Sequence, residues 1–539
     1  MATSRSSSAG IASLRKDAAR GRGEPELPFR RVLIANRGEI AVRIIRACHE
    51  LGIEAIAVHS DADAQALHTR LADVAVRIGS AAPAESYLRI DAIVDAALAT
   101  GADAIHPGYG FLAERAAFAR AVEAAGLVFV GPSPDAIDAL GDKLHARRLA
   151  RSVDVPVVPG TLEPAPVERP DQVAAIVAEA ERIGFPLLVK AAAGGGGRGM
   201  RRVATPEELP AALATGSAEA ASAFGDGAVY LEREILPARH IEVQLLGDAS
   251  GRVVAIGERD CSIQRRHQKL VEEAPAPGLT VAERRELHAM AVRLGEAAGL
   301  RNAATAEFLR GPDGAFAFLE VNTRLQVEHG VTELVTGLDL VREQLRLAAG
   351  LPLSEAALAA SERAAEPHGH AIEVRIAAEN PAVNFTPTPG RITLWMMPGG
   401  PGVRVDSGVG QGDRVAPEYD NLIAKLMVHA ADRDAAIDRL RRALDETEIG
   451  GVQTTLPFHR FVARDESFRD GAVFTGWVGE HYDGPEELRG ALRVAKLAAG
   501  LEAVGRPVNP PRAGTGGDPS GDGRWRETGR ADAMDRWPR

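Results

Sequence analysis

Cysteine, lysine and long apolar runs are all scarce in this chain of 539 residues. It has only two cysteines, Cys48 and Cys261, and they cannot build a disulfide framework, so the sequence predicts a protein of the reducing cytoplasm. No apolar run approaches the roughly 18 residues that a membrane span requires. The net charge of −11 argues against a nucleic-acid binder that relies on general basicity. We therefore expect a soluble, multi-domain globular protein that binds neither membranes nor nucleic acids.

Lysine accounts for only six of the 63 basic residues. A chain this rich in arginine can place Arg on any solvated face, so an interior lysine indicates a need for its compact ammonium group. Three of the six lysines lie inside the motifs described below.

Hydrophobic patterning divides the chain into regions of different character. After a Ser-, Arg- and Gly-rich stretch at 1–29, strands and helices alternate from residue 31, which predicts a parallel sheet with helices on both faces. Longer strands and hairpins follow from about residue 150, and a further strand-rich region extends from about 344 to 480. A helix is predicted over 486–504, before a Pro- and Gly-rich linker and a short tail.

The sequence GPDG at 311–314 predicts a hairpin between two alternating strands. A turn centred within it places Glu307 opposite Phe318, with Glu320 as the diagonal neighbour of Glu307, roughly 7 Å away between Cβ atoms. Two carboxylates at that spacing repel each other unless a cation lies between them, and such oxygen ligands suit Mg²⁺ or Mn²⁺. Asn322 lies on the same face and could add an amide oxygen. A pair of exposed acids on a sheet edge is the alternative.

Polar residues continue at every second position from Glu320 to Glu328. A fully extended strand would spread them over about 26 Å at roughly 3.3 Å per residue, too far for one site. We therefore expect a bend near Asn322–Arg324 that brings Arg324, Gln326 and Glu328 back toward the metal.

Two further stretches have the composition of binding sites. Four glycines follow an apolar strand that ends in Lys190, and such a loop can bring backbone N–H groups close to phosphates, although a flexible linker has the same composition. Residues 259–277 contain a compact cationic cluster followed directly by two glutamates, without the interleaved aromatic residues of a nucleic-acid surface. Upstream of this cluster, His240, Glu242 and Gln244 alternate on one face of a predicted strand.

Six stretches of the sequence, in the same order along the chain, resemble biotin carboxylase, the ATP-grasp component of biotin-dependent carboxylases of the acetyl-CoA and propionyl-CoA carboxylase type. They are IANRGEIAVRIIRAC, HPGYGFL, GGGGRGM, ERDCSIQRRHQK, EEAPAP and EVNTRLQVEH, and the resemblance extends from about residue 31 to 480. It implies an α/β and α+β multi-domain fold. The implied domains are a Rossmann-like N-terminal domain (30–143), an ATP-grasp domain (144–343) with a mobile lid at about 162–232, and a strand-rich C-terminal domain (344–480). Composition adds a disordered tail at 1–29 and a helix, linker and tail at 481–539.

The resemblance also implies the reaction, in which ATP and bicarbonate form carboxyphosphate and biotin is then carboxylated. Matching positions assign Glu328 as the general base, Arg324 and Lys269 as groups that hold bicarbonate and the intermediate, and Arg375 as the group that stabilises the biotin enolate. Gln326 and the backbone of Val327 complete the bicarbonate site. Glu307, Glu320 and Asn322 match the metal ligands. The positions matching nucleotide contacts are Lys143, Lys190, Gly196, Gly197, Glu232, His240, Gln264 and His267.

Departures from the family pattern are few. Gly330 stands where proline is usual after the QVEH motif, which predicts a looser turn after Glu328, and Ala113 and Arg115 replace a serine and an asparagine. The closest alternatives are another ATP-grasp carboxylate ligase and a catalytically inactive nucleotide-binding subunit.

Members of the family work with a biotin carboxyl carrier protein and carboxyltransferase subunits, commonly as homodimers. None of the six lysines has the neighbouring methionine of a biotinylated lysine, and the segment after residue 480 lacks the alternating strands of a carrier domain. We therefore expect biotin to arrive on a separate protein, as a substrate that is not attached to this chain. The sequence does not specify which acyl acceptor the assembly carboxylates.

Overall fold

The computed structural model describes residues 27–165, 170–192 and 200–505. The chain forms two compact units, Met1–Gly484 and Pro485–Arg539. Most of the predicted N-terminal tail, the glycine loop with Gly196 and Gly197, and the C-terminal linker and tail lie outside the described residues, as does part of the predicted lid.

The described strands and helices alternate in the first quarter of the chain and group into longer strands afterwards. The strands are β1 Arg31–Ile34, β2 Glu54–Ser60, β3 Val74–Gly79, β4 Ala104–His106, β5 Val128–Phe129, β6 Leu187–Ala191, β7 Arg201–Val203, β8 Val229–Arg233, β9 Arg239–Gly247, β10 Val253–Arg265, β11 Gln268–Ala274, β12 Asn302–Arg310, β13 Phe316–Asn322, β14 His370–Ala377, β15 Glu379–Asn380, β16 Thr386–Pro387, β17 Gly390–Arg391, β18 Leu394–Met396, β19 Val403–Ser407, β20 Arg414–Val415, β21 Leu422–Ala430 and β22 Glu448–Gly450. The α-helices are α1 Gly38–Glu50, α2 Leu67–Leu71, α3 Ile90–Thr100, α4 Ala116–Ala124, α5 Pro134–Gly141, α6 Lys143–Ser152, α7 Pro170–Ile183, α8 Leu209–Phe224, α9 Val281–Ala297, α10 His329–Thr336, α11 Leu340–Ala348, α12 Glu355–Arg363, α13 Arg433–Glu446, α14 Leu456–Val462, α15 Glu466–Arg469, α16 Trp477–His481 and α17 Gly484–Gly505.

The first five strands form a parallel sheet in the order β3-β2-β1-β4-β5. This confirms the parallel sheet predicted from the strand–helix alternation. Helix α1 buries the apolar residues that recur along one stripe, among them Ile40, Ile44 and Ile45, because residues three and four apart share a helix face. The helix ends one residue before Leu51, and Gly52 then takes a left-handed conformation with φ of 72°.

An eight-stranded sheet forms the centre of the first unit, in the order β13-β12-β9-β10-β11-β14-β21-β19. Its pairings are antiparallel, and its two long neighbours β9 and β10 are almost wholly buried. The sheet continues from β11 to β14, so strands on both sides of the boundary expected at 343–344 belong to one sheet. The capping box of Thr280 and Glu283 begins α9, whose residues Leu287, Ala291 and Leu294 join the apolar cluster containing Ile241 and Val243 of β9.

A smaller antiparallel sheet, β7-β6-β8, carries Lys190 and Glu232. Helix α17, Gly484–Gly505, lies in the second unit except for its first residue, and it confirms the helix predicted over 486–504. Within the described parts of both units, no helix combines the length and the apolar character needed to cross a membrane.

Candidate active site

A row of charged side chains crosses four neighbouring strands of the central sheet. Arg259 on β10 pairs with Glu242 on β9, Glu242 pairs with Glu307 on β12, and Glu307 pairs with Glu320 on β13. Directly opposed residues of antiparallel strands point to the same face. The alternation predicted for β9 is confirmed, since His240 and Gln244 flank Glu242 at the same two-residue spacing.

The predicted hairpin exists, but its predicted register is wrong. The turn contains five residues, 311–315, so Arg310 pairs with Phe316 and Phe308 pairs with Phe318. A bulge at Leu319 then shifts the pairing again, and Glu307 lies directly opposite Glu320 instead of opposite Phe318. The two carboxylates are therefore direct cross-strand neighbours, closer together than the sequence predicted.

Each carboxylate of this pair has an ammonium group beside it. Glu320 Oε2 lies 2.7 Å from Lys143 Nζ, and Glu307 Oε1 lies 2.8 Å from Lys269 Nζ. His240 Nε2 lies 3.2 Å from the second oxygen of Glu307. Burial opposes ionisation of Glu307, but Lys269 and His240 outweigh it and hold the pKa of this carboxyl well below its usual range. Two lysines thus balance the acid pair.

The chain bends after β13, which confirms the bend expected near Asn322–Arg324. The strand ends at Asn322 and helix α10 begins at His329. Within the bend, Arg324 donates to Gln326 Oε1 at 2.8 Å and to Asn322 Oδ1 at 3.1 Å. Gln326 and Asn322 in turn donate to Glu307 Oε1, at 3.2 and 2.8 Å. The residues that alternate in the sequence are therefore gathered around one carboxylate.

Glu328 lies at the end of this bend with no solvent exposure of its side chain. It accepts from Lys269 Nζ at 2.8 Å on one oxygen and from Arg375 Nη2 at 2.9 Å on the other. Burial disfavours the charged form, but Lys269, Arg375 and Arg259 hold the pKa of Glu328 well below its usual range. Glu328 is therefore a carboxylate poised between two cations.

A second buried glutamate holds Arg375 from the other side. Glu272 Oε1 accepts from Arg375 Nε at 2.6 Å. Burial raises the pKa of Glu272 to about 7, with Arg375 opposing the shift and the nearby Glu328 adding to it. We call Lys269, Glu272, Glu328 and Arg375 the base end of the site.

The opposite side of the site is formed by Lys143, Lys190, Glu232 and Glu320, which we call the phosphate end. Asp142 caps helix α6 by accepting from the backbone of His145 at 2.7 Å, and this places Lys143 at the first helical position. Lys190 and the fully buried Arg147 both donate to Glu232. Burial opposes ionisation of Glu232, but the cations Lys190 and Arg147 outweigh this effect, so the pKa of Glu232 lies below its ordinary value.

The two ends share one cleft of about 1010 Å³. Most of the residues predicted for the site line it: Lys143, Lys190, Glu232, His240, Gln264, His267, Lys269, Glu307, Glu320, Asn322, Arg324, Gln326, Val327 and Arg375. Glu328 lies behind the wall, fully buried, and reaches the cleft through Lys269 and Arg375. Gly196 and Gly197 fall outside the described residues.

The donor set of the cleft fits a hard divalent cation such as Mg²⁺, because Glu307 and Glu320 present carboxylate oxygens from directly opposed positions on one face. The amide oxygen of Asn322 accepts from Arg324, and its second lone pair can bind a cation. His240, Glu242 and Glu307 also bring ligand atoms within 4.8 Å of one another. Glu242, however, is bonded to both Arg259 and Lys269.

Sequence reasoning missed several residues that hold the site together. Glu114 accepts from Arg324 Nε at 2.9 Å and from the backbone of Thr323 at 3.2 Å. It lies two residues after the HPGYGFL motif, which was the available signal. Arg259 lies in the ERDCSIQRRHQK motif, which was its signal. Arg147 gave none, because an arginine on a helix of an arginine-rich chain resembles a solvated residue until its burial is known.

The structure also explains Gly330, where the resemblance implied a proline and we expected a looser turn. Gly330 is buried in helix α10, and a Cβ built there would overlap Met427 Sδ and lie 3.3 Å from Glu373 Oε2. Met427 occupies the space that a side chain at 330 would need. Glycine at position 330 therefore avoids a clash with the side chain of Met427.

Three family models together match most of the chain. They are described as "Biotin carboxylase, N-terminal domain" at residues 28–137, "Carbamoyl-phosphate synthase L chain, ATP binding domain" at 142–356, and "Biotin carboxylase C-terminal domain" at 373–480. Among curated proteins, a pyruvate carboxylase subunit of Methanothermobacter thermautotrophicus is 50% identical over 85% of this chain and 91% of its own length. The biotin carboxylase of Haemophilus influenzae is 49% identical over 82% of this chain and 96% of its own.

Solved structures are similar over the same part of the chain. The biotin carboxylase of Campylobacter jejuni, crystallised as a "beta-gamma-ATP complex", is 43% identical with a TM-score of 0.80, covering 84% of this chain and 99% of that one. The biotin carboxylase domain dimer of Hydrogenobacter thermophilus 2-oxoglutarate carboxylase, bound to MgADP, ADP and bicarbonate, is 44% identical with a TM-score of 0.80. The match covers 84% of this chain and 98% of that one.

Proposed function

The chain belongs to the biotin carboxylase family, and on this premise we propose that it uses ATP and bicarbonate, through carboxyphosphate, to carboxylate biotin on a separate carrier protein. It is an ATP-grasp ligase. The observation that carries the assignment is Glu328, a buried carboxylate held between Lys269 and Arg375, which line one end of a cleft whose other end carries lysines and acids.

The base end supplies the proton chemistry in this proposal. Bicarbonate is a weak nucleophile and must lose a proton as it attacks the γ-phosphate of ATP, and Glu328 accepts that proton. Arg324 holds the anion through its planar fork of donors, with Gln326 and the backbone of Val327 beside it. Lys269 balances the charge of the carboxyphosphate, and Arg375 stabilises the enolate of biotin.

The phosphate end positions the nucleotide. Lys143 and Lys190 exchange their carboxylate partners for phosphate oxygens, while Glu307 and Glu320, with Asn322, hold Mg²⁺ or Mn²⁺. A bound divalent ion neutralises charge that develops on the phosphates during transfer. Glu232, His240, Gln264 and His267 line the cleft around the nucleotide. Gly196 and Gly197 stay predicted nucleotide contacts.

The partners of the proposed enzyme are a biotin carboxyl carrier protein and carboxyltransferase subunits, with a homodimer as the working form in the cytoplasm. The relatives are named for different acceptors, pyruvate, 2-oxoglutarate and acyl-CoA among them, so the acceptor is left open. The domain boundaries at 143–144, 343–344 and 480–481 stay predictions. Another ATP-grasp ligase is a weaker candidate, because Lys269, Arg324, Glu328 and Arg375 all meet at one site.

The function is tested by measuring ATP hydrolysis with Mg²⁺, bicarbonate and free biotin, each omitted in turn. We expect turnover that depends on both bicarbonate and biotin. Equal rates with and without biotin would contradict the biotin assignment and favour another ligase. Intact-mass analysis of the chain coexpressed with a biotin ligase should show the unmodified mass, and a biotin-sized increment would place the carrier within this chain.

A further inference from the structure

Lys425 is a lysine outside the proposed machinery, and it is completely buried. It lies on β21 opposite Arg375 of β14, within a strand whose neighbouring residues are also buried. Its Nζ donates to the backbone carbonyl of Val327 at 2.7 Å. Glu39 Oε2 lies 3.3 Å from the same ammonium, and Asp406 Oδ2 lies 4.0 Å away. One buried charge therefore joins helix α1, strands β19 and β21, and the bend that carries Glu328.

Stability alone does not explain a lysine in this position. Replacing a buried ion pair by apolar residues of similar volume is often neutral or stabilising, so burial of Lys425 among acids is weak support for a structural role. Desolvation lowers the pKa of Lys425, but Glu39, Glu373 and Asp406 outweigh it and raise the pKa above its ordinary value. The group remains an ammonium and keeps its strong donor.

The hydrogen bond acts on the peptide that joins Val327 to Glu328. A peptide unit is planar, so holding the carbonyl of Val327 also fixes the N–H and the Cα of Glu328. Glu328 is the N-cap residue of helix α10, with φ of −81° and ψ of 13°, where the chain changes from bend to helix. Movement of this peptide would carry the Glu328 carboxylate away from Lys269 and Arg375.

Glu39 ties the same ammonium to another wall of the cleft. Its second carboxylate oxygen accepts from the hydroxyl of Tyr109, and both Glu39 and Tyr109 line the cleft. Lys425 is thus the link between a wall contributed by the N-terminal segment and the backbone of the bicarbonate bend.

We propose that Lys425 is a positioning residue for the carboxylation reaction. By holding the Val327–Glu328 peptide, it keeps the Glu328 carboxylate in contact with Lys269 and Arg375 while that carboxylate accepts the proton of bicarbonate. The proposal rests on the proposed function. The proposal predicts that loss of Lys425, which touches neither ATP nor bicarbonate, impairs the use of bicarbonate and leaves nucleotide binding unchanged.

The test is Lys425→Met, which keeps the apolar stem and removes the donor. We expect kcat/KM for bicarbonate to fall about 10-fold or more, as for the loss of a hydrogen bond from a charged donor, with the KM for ATP changed less than 2-fold. This variant leaves the buried Glu39 without its cation, which disfavours folding. The double variant Lys425→Met/Glu39→Gln removes both charges, while the introduced amide oxygen can still accept from Tyr109. It should fold and keep the bicarbonate defect.

Arg433→Met is the matched control. Arg433 is a largely buried cation at the start of helix α13 that bonds to Glu273 of the central sheet, outside the cleft. We expect it to lower the melting temperature without changing the KM for bicarbonate. Recovery of wild-type bicarbonate kinetics in the double variant would overturn the proposal, because the only role of Lys425 would then be to neutralise the charge of Glu39. Equal changes in the KM for ATP and for bicarbonate would overturn it as well. A wild-type chain without biotin-dependent turnover would instead refute the proposed function.

Discussion

The two ends of the cleft use the same residue types, glutamate with lysine or arginine, in different ways. At the phosphate end, Lys143 and Glu320 form a pair whose side chains are 16% and 27% exposed. At the base end, the side chains of Glu272 and Glu328 have no exposure at all, and each is bonded to Arg375. Solvent therefore reaches the Lys143–Glu320 pair, whereas the two acids of the base end are closed off from it.

This difference follows from what each end has to do in the proposed reaction. Nucleotide phosphates and a divalent ion bring their own charges, so a lysine and an acid that are partly in water, as Lys143 and Glu320 are, can exchange partners at modest cost. The base must face a small anion in a fixed geometry, and dipoles and charges held in place before the reaction require no reorganisation during it. We therefore expect substitutions at the base end to affect kcat most strongly and those at the phosphate end to affect metal and nucleotide use.

The largest effect is expected for Glu328→Gln, which removes the proposed base while keeping its shape. We expect kcat to fall by roughly 10²-fold or more, with the KM for ATP little changed, measured by steady-state ATP turnover across a range of pH. An unchanged pH–rate profile in the variant would reassign the base. Glu258→Gln is the control: Glu258 is equally buried and bonded to Arg284 and His288 but lies outside the cleft, so kcat should persist.

A smaller effect is expected for Glu320→Gln and Glu307→Gln, each of which removes one charged ligand of the proposed cation. We expect the Mg²⁺ concentration for half-maximal turnover to rise about 10-fold or more. Glu307→Gln should also lower kcat, because Glu307 anchors Asn322, Gln326 and Lys269, whereas Glu320 bonds to Lys143. Near-normal turnover of both variants at low Mg²⁺ would exclude the pair as metal ligands.

The smallest effect concerns stability as a function of pH. The pKa of Glu272 is raised to about 7 in the folded chain, so the folded state binds this proton more tightly than the unfolded chain does. The resulting stabilisation is complete below the ordinary carboxyl pKa and is lost as pH rises to about 7. Glu272→Gln cannot titrate, so the melting temperature of the wild type should fall by a few °C relative to the variant over this range. If the melting temperatures of the wild type and the variant change in parallel with pH across about pH 4.5–8, Glu272 titrates normally.

Local patterns in the sequence predicted several of the helices and strands correctly. Period-two alternation predicted β9, the hairpin strands and their polar faces. The sequence also predicted α1 and a helix over 486–504, which the structure places at Gly484–Gly505. The bend after Asn322 was also predictable, since a straight strand could not gather its polar residues at one site. The hairpin register was not, because a five-residue turn and a bulge at Leu319 depend on packing that a turn motif does not specify.

The sequence by itself determined the family, the reaction that the family implies and a set of residues most of which line the cleft, because these residues lie in contiguous motifs that can be recognised without a structure. Tertiary structure alone decided which charges meet. Glu114 with Arg324, Arg147 with Glu232, Glu272 with Arg375, and Lys425 with Val327 are separated by between 85 and 210 residues in the chain. Only the folded sheet and its packed helices bring these groups within hydrogen-bonding distance, and burial there raises the pKa of Glu272.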